Sequence, residues 1–99
     1  MKLADDYMVC EVAGGYCILP VGQNVVNYNH VFNLNDTGYF LCNQLQEDLT
    51  YAQLLERMAT EYEVTGEGEE MALLRKDLDT FLMQLRARKL LTEPFWQDN

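Results

Sequence analysis

The sequence is short of several residue types on which whole classes of protein depend. Only 7 of its 99 residues are Lys or Arg, against 16 Asp or Glu, and the formal net charge of −9 opposes attraction to nucleic-acid phosphates and anionic membrane surfaces. No apolar run is long enough to cross a bilayer, and the N-terminus MKLADDYMV lacks the layout of a signal peptide. We therefore expect a cytoplasmic protein with no nucleic acid and no membrane among its partners.

Side chains that usually perform catalysis or bind metals are also scarce. His30 is the only histidine, and Cys10, Cys17 and Cys42 show neither a CxxC spacing nor a neighbouring histidine. We interpret the cysteines as reduced thiols that serve as small core residues, with a metal or redox site as the alternative. No Ser-His-Asp or Cys-His arrangement can be assembled around a lone strand histidine. We predict no catalytic residue, no metal and no cofactor.

The residues that are abundant indicate one globular domain. Hydrophobic residues make up 48% of the chain and charged residues 23%, which is enough for one modest core. Periodicity divides the chain into a β part over about residues 7–33, a helical part over about 35–91 and a short tail at 92–99. We predict a single domain over residues 1–99 with an α+β fold, in which a three-stranded antiparallel β-meander precedes three α-helices.

The β part contains three strand-like segments. Residues 7–12 and 16–21 flank an Ala-Gly-Gly stretch at 13–15, and a Gly-Gly pair supplies the positive φ angles of a tight hairpin turn. A second turn near residues 21–24 leads to a third strand over about residues 25–33. The outer face of that strand is polar, and the chain changes directly from strand to helix after it.

Each predicted helix has its own boundary signals. The first, over about residues 35–45, begins at an Asn35 cap, and Gly38 in its first turn indicates a close approach by another group. Thr50 and Gln53 form a capping box for the second helix. After an acidic, Gly-containing break, the third helix spans about residues 69–89. Its apolar residues recur at helical spacing and form a predicted buried stripe: Met71, Leu74, Leu78, Phe81, Leu82 and Leu85.

Short motifs in these elements form a recognisable pattern. They are Leu34-Asn35 with Thr37-Gly38, then Leu45, Tyr62, Asp77, Phe81, Leu82, Leu85 and Leu90-Leu91. Over about residues 16–92 the chain resembles the PqqD (pyrroloquinoline quinone synthesis protein D) family, whose fold is also called the RiPP recognition element, after ribosomally made and later modified peptides. The resemblance implies a winged-helix-like domain without catalytic activity. Such a peptide chaperone binds the leader segment of a precursor peptide and presents it to a modifying enzyme, such as a radical S-adenosylmethionine (SAM) protein.

The resemblance also implies where the peptide binds, namely as an added strand in the groove between the third strand and the third helix. An exposed strand edge offers unpaired N–H and C=O groups, and pockets for alternate side chains give selectivity. On the helix, Leu73 lies off the buried stripe and is followed at helical spacing by Asp77, Thr80 and Gln84; the alternative is that these side chains only face water. The expected peptide-binding residues are Val25, Asn27, Tyr28, Asn29, His30 and Val31 on the strand, and Leu73, Lys76, Asp77 and Thr80 on the helix.

Two other functions would use the same elements. A winged-helix DNA regulator would insert the third helix, which carries five of the seven basic residues, but Asp77 and Asp79 interrupt the run and leave no contiguous basic face. A scaffold module that binds a folded protein partner is the second alternative. A homodimer is also open, because Phe95 and Trp96 in the tail could dock on a second copy.

Overall fold

The computed structural model describes residues 1–21 and 32–92, and these residues form one antiparallel sheet and three helices. The strands are β1 (Tyr7–Val12), β2 (Gly15–Pro20) and β3 (Phe32–Leu34), in the spatial order β1-β2-β3. The helices are α1 (Asp36–Gln44), α2 (Tyr51–Glu61) and α3 (Glu69–Ala87). The predicted α+β fold, with a three-stranded antiparallel meander before three helices, is confirmed.

The turn between β1 and β2 lies one residue earlier than predicted. Val12 pairs with Gly15, so the two turn residues are Ala13 at φ 49° and Gly14 at φ 83°, and Gly15 already belongs to β2. Positive φ at both central residues is what a two-residue hairpin turn needs to match the twist of its strands. The prediction that the Gly-Gly pair supplies these angles is therefore wrong, because Ala13 supplies one of them.

The predicted third strand is only partly described. β3 starts at Phe32 and ends at Leu34, one residue beyond the predicted end. Residues 22–31, which contain most of the predicted second turn and of the third strand, lie outside the described residues, as do residues 93–99 of the tail. β3 pairs antiparallel with β2 through Tyr16 with Leu34, Cys17 with Asn33, and Ile18 with Phe32.

The core lies between one face of the sheet and the helices. Ile18 on β2 is fully buried, as are Leu41 on α1, Leu54 on α2 and Leu78 on α3. α3 ends at Ala87, two residues before its predicted end. Its predicted apolar stripe is confirmed, since Met71, Leu74, Leu78, Leu82 and Leu85 are buried and Phe81 is half-buried against them.

The first two helices begin where their predicted caps stand. The Asn35 side chain accepts a hydrogen bond from the Gly38 N–H at 2.7 Å. Thr50 and Gln53 exchange side-chain to backbone hydrogen bonds of 2.9 and 3.1 Å, which is the predicted capping box. These bonds satisfy backbone groups that the first helical turn cannot satisfy by itself, and therefore they determine where each helix starts.

Candidate functional site

A groove lies along one side of α3, between it and the segment formed by β3 and the start of α1. One part, a cavity of about 440 Å³, is lined by Phe32, Asn33, Gln84, Ala87 and Arg88. The other part, of about 350 Å³, is lined by Asn35, Thr37, Gly38, Leu41, Lys76, Asp77, Thr80, Phe81 and Gln84. Gln84 lines both parts, so they adjoin. We call the two together the β3–α3 groove.

The absence of a side chain at Gly38 allows the first turn of α1 to pack closely at the groove. A Cβ atom added to Gly38 would stand 3.0 Å from Cε1 of Phe81 and 3.2 Å from Cδ2 of Leu34. Contacts that short require the neighbours to move, and Phe81 belongs to the core-facing side of α3. The predicted close approach at this glycine is confirmed, and it places α1 and α3 side by side.

Aromatic packing holds β3 against the end of α3. The rings of Phe32 and Phe81 meet edge to face, with centroids 6.5 Å apart at an interplanar angle of 78°. The guanidinium carbon of Arg88 lies 4.8 Å from the centroid of the Phe32 ring, within the range of a cation–π interaction. These contacts place an arginine at the β3 end of the β3–α3 groove.

The charged residues of the groove stand at different points along α3. Lys76 lines the part next to α1 and Arg88 the part next to β3, and neither forms an ion pair within the described part of the chain. Twelve residues of helix separate them, which corresponds to ~18 Å along the axis. Asp77, beside Lys76, adds one carboxylate. In a chain with a net charge of −9, the groove therefore has a cation towards each end.

The backbone of Asn33 points towards the side of β3 on which no other strand of the described residues pairs, which we call the open edge. In a two-residue hairpin the flanking pair Val12 and Gly15 exchanges both backbone hydrogen bonds, and alternation makes Cys10 and Cys17 another such pair. The N–H and C=O of Cys17 are therefore used by β1 and not by β3. Its partner on β3, Asn33, consequently directs its own N–H and C=O away from β2, at the strand edge that borders the groove.

Two tyrosines on α2 and at its end support the walls of the groove. The Tyr51 hydroxyl donates a 2.6 Å hydrogen bond to Asp79 on α3, and burial together with this carboxylate raises the pKa of Tyr51. At the C-cap of α2, the Tyr62 hydroxyl donates to the Thr37 hydroxyl at 3.2 Å, and the Tyr62 ring packs edge-on against Phe40. These bonds connect α2 to both helices that line the groove.

Only some of the predicted site residues can be placed at the β3–α3 groove. Lys76, Asp77 and Thr80 line the groove together. Leu73 is 57% exposed and does not line it. The predicted strand residues Val25, Asn27, Tyr28, Asn29, His30 and Val31 lie outside the described residues.

Sequence reasoning missed several residues that line the groove. Asn35, Thr37 and Gly38 were interpreted only as cap, motif and packing residues, although a cap at the junction of strand and helix necessarily lies beside the strand edge. Phe32 and Arg88 gave no local signal, because their contact depends on where β3 crosses the end of α3. Gln84 stood in the predicted polar line on α3 and does line the groove.

The described residues contain neither a metal-binding cluster nor a membrane-spanning helix. Within residues 1–21 and 32–92, no three or more His, Cys, Asp or Glu side chains are grouped to hold a metal ion. None of the helices in these ranges is long and apolar enough to cross a membrane. The groove combines the open edge of β3, an apolar floor formed by Phe32 and Phe81, and two separated cations, features suited to an extended chain.

Comparison with known proteins gives one family. The family model described as Coenzyme PQQ synthesis protein D (PqqD) matches residues 16–91. No curated protein and no solved structure matches the chain significantly. The matched residues run from β2 to just beyond α3, and they include every element that lines the β3–α3 groove. Since this match covers well over half of the sequence, the chain belongs to the PqqD family.

Proposed function

We propose that this protein is a non-catalytic accessory protein that binds the leader segment of a ribosomally made precursor peptide and presents it to a modifying enzyme, such as a radical SAM protein. The family description supports an accessory role in coenzyme synthesis. The observation that carries the finer proposal is the outward-facing backbone of Asn33 at the edge of the β3–α3 groove. We also propose that residues 1–99 act as one peptide-binding domain.

The leader peptide would join the sheet as a further strand beside β3. One of its residues would accept a hydrogen bond from the Asn33 N–H and donate one to the Asn33 C=O, as strands in a sheet do. Alternate side chains of an extended peptide point to opposite faces. Those on the face shared with Phe32 and Leu34 would enter the groove, where the half-buried rings of Phe32 and Phe81 form apolar surface.

The charges of the groove favour a particular kind of leader. The ~18 Å between Lys76 and Arg88 corresponds to about five or six residues of an extended chain. A leader with a carboxylate near each end of such a segment, and apolar side chains between them, would match both cations and the apolar floor. Asp77 and Thr80 would contact polar groups of the leader on the α1 side, and Leu73 and residues 25–31 remain proposed contacts of the same surface.

Titration calorimetry with the leader of a precursor peptide encoded beside this gene tests the proposal. We expect saturable one-to-one binding of the leader, and no binding of a scrambled peptide with the same composition. Binding of the modifying enzyme alone, with no affinity for either peptide, would instead identify a scaffold module. Salt-sensitive binding of duplex DNA would identify a winged-helix regulator.

A further inference from the structure

Cys10 and Cys17 face each other across the β1–β2 hairpin, away from the groove. They are direct partners in the antiparallel register, so their side chains project from the same face of the sheet. Val9 and Ile18, the next pair, point to the core, and therefore the cysteine pair lies on the opposite face. Cys10 is half-buried, Cys17 is 6% exposed, and both are free thiols.

The spacing of this pair permits a disulfide bond. Residues that exchange backbone hydrogen bonds across an antiparallel ladder have Cα atoms about 5.5 Å apart, and disulfides span Cα distances of about 4.4–6.8 Å. The Cβ atoms of directly opposed residues lie about 4.5–5.5 Å apart, with hydrogen-bonded pairs at the wide end, whereas disulfides span Cβ distances of about 3.5–4.5 Å. A bond between Cys10 and Cys17 would therefore form with some strain, and strained disulfides are the readily reduced ones. Burial raises the pKa of the Cys17 thiol, and the neighbouring Cys10 adds to the rise, in keeping with their direct pairing across the hairpin.

We propose that Cys10 and Cys17 are a modification site that forms a reversible intramolecular disulfide on contact with a two-electron oxidant, such as a peroxide or a small-molecule disulfide. Cys10, the more exposed thiol, meets the oxidant first. With hydrogen peroxide, the Cys10 thiolate takes one oxygen atom to become a sulfenic acid, and hydroxide leaves. The Cys17 sulfur then attacks the sulfenic sulfur, the S–S bond forms and water leaves, so that two thiols and one peroxide give one disulfide and two waters.

Cys42 takes no part in this reaction. It is fully buried in the core on α1, and burial raises the pKa of its thiol to about 12. Since the thiolate is the reactive form, Cys42 is the least reactive of the three cysteines by both access and protonation. The interpretation of the cysteines as buried core residues holds for Cys42 and, by its 6% exposure, for Cys17, whereas Cys10 is only half-buried. The inference is independent of peptide binding.

Mass spectrometry of the folded protein tests the proposal. After treatment with diamide, we expect the wild type and Cys42→Ala each to lose two hydrogen atoms in mass. Iodoacetamide added after denaturation should then alkylate one thiol in the wild type and none in Cys42→Ala. Cys10→Ser and Cys17→Ser should form no intramolecular bond. Chymotrypsin cleaves after Tyr16, between the two cysteines, so the two wild-type fragments should stay joined until dithiothreitol separates them.

The wild-type fragment pattern does not depend on how well any variant folds. A disulfide that includes Cys42, a disulfide between two chains, or a lasting adduct on Cys10 with Cys17 still free would overturn the proposal. So would a wild type that keeps all its thiols while iodoacetamide alkylates Cys10 in the folded state. Excess reduced glutathione should return the oxidised wild type to the thiol form, and a bond that resists it would contradict the inferred strain.

Discussion

Replacing Asn33 by proline removes one N–H from the open edge of β3 and leaves the hydrogen bonds to β2 in place. Phe32 and Leu34 are bonded to β2, whereas Asn33 points outward. Proline lacks the N–H group and is tolerated in a sheet where that group would face an edge. The variant should therefore fold, and a leader peptide that adds as a strand should lose one donor.

The size of the expected loss follows from the carbonyl of the peptide that would remain without a partner. An unsatisfied buried acceptor costs about 1–3 kcal/mol, which weakens the leader Kd roughly 5- to 150-fold. Asn33→Ala keeps the N–H and removes an exposed side chain, so it should change binding by less than about 0.5 kcal/mol. Glu11→Pro is the matched control on the far edge of the sheet, where the N–H also faces outward, and it should bind the leader normally.

Titration calorimetry of the wild type and these three variants with one leader peptide measures the effect, and thermal unfolding confirms that each variant is folded. Equal affinities for Asn33→Pro and the wild type would show that the peptide does not use this edge. Equal losses in Asn33→Pro and Asn33→Ala would assign the contact to the side chain instead of the backbone. Either result would refute the strand-addition geometry.

Three further predictions concern stability. Gly38→Ala should lower the free energy of unfolding by about 1–3 kcal/mol in urea denaturation, because its Cβ would stand 3.0 Å from Cε1 of Phe81; an unchanged midpoint would contradict this packing. Cys42 should make the fold sensitive to alkali, because burial raises the pKa of its thiol from the ordinary 9 to about 12 in the folded state. The free energy of unfolding should be unaffected below pH 9 and should fall by about 1.4 kcal/mol per pH unit between pH 9 and 12. In Cys42→Ala this fall should be shallower. Ala13→Gly should raise the free energy of unfolding by about 0.5–1 kcal/mol, because it relieves a positive φ; a lower melting temperature would show that Ala13 is not strained.

The helices could be predicted because their signals are local. Asn35, Thr50 and Gln53 cap helices through bonds to residues within one turn, and the apolar stripe of α3 needs only a period of 3.6 residues. The hairpin register could not be read in the same way. Either Ala13-Gly14 or Gly14-Gly15 could form the two-residue turn. The structure uses Ala13-Gly14, which pairs Val9 with the buried Ile18, and this choice depends on packing in the core and not on the local sequence.

The candidate site was predictable on the helix side and less so on the strand side. Helical spacing off the buried stripe placed Asp77, Thr80 and Gln84 on a common side of α3, and all three line the groove, as does the expected contact Lys76. Leu73 fits the same spacing but does not line the groove. The position of Arg88 over Phe32 depends on how β3 crosses α3, and no sequence pattern specifies such a crossing.

Amide hydrogen exchange at Asn33, with and without the leader peptide, tests strand addition most directly. In the free protein this N–H faces the open edge of β3 and should exchange rapidly, while the neighbouring N–H groups bonded to β2 should exchange slowly. Bound leader should slow exchange at Asn33 by accepting its hydrogen bond, and should leave the outward-facing Glu11 N–H on β1 unchanged. Saturating peptide that leaves exchange at Asn33 unaltered would contradict the proposed mode of binding.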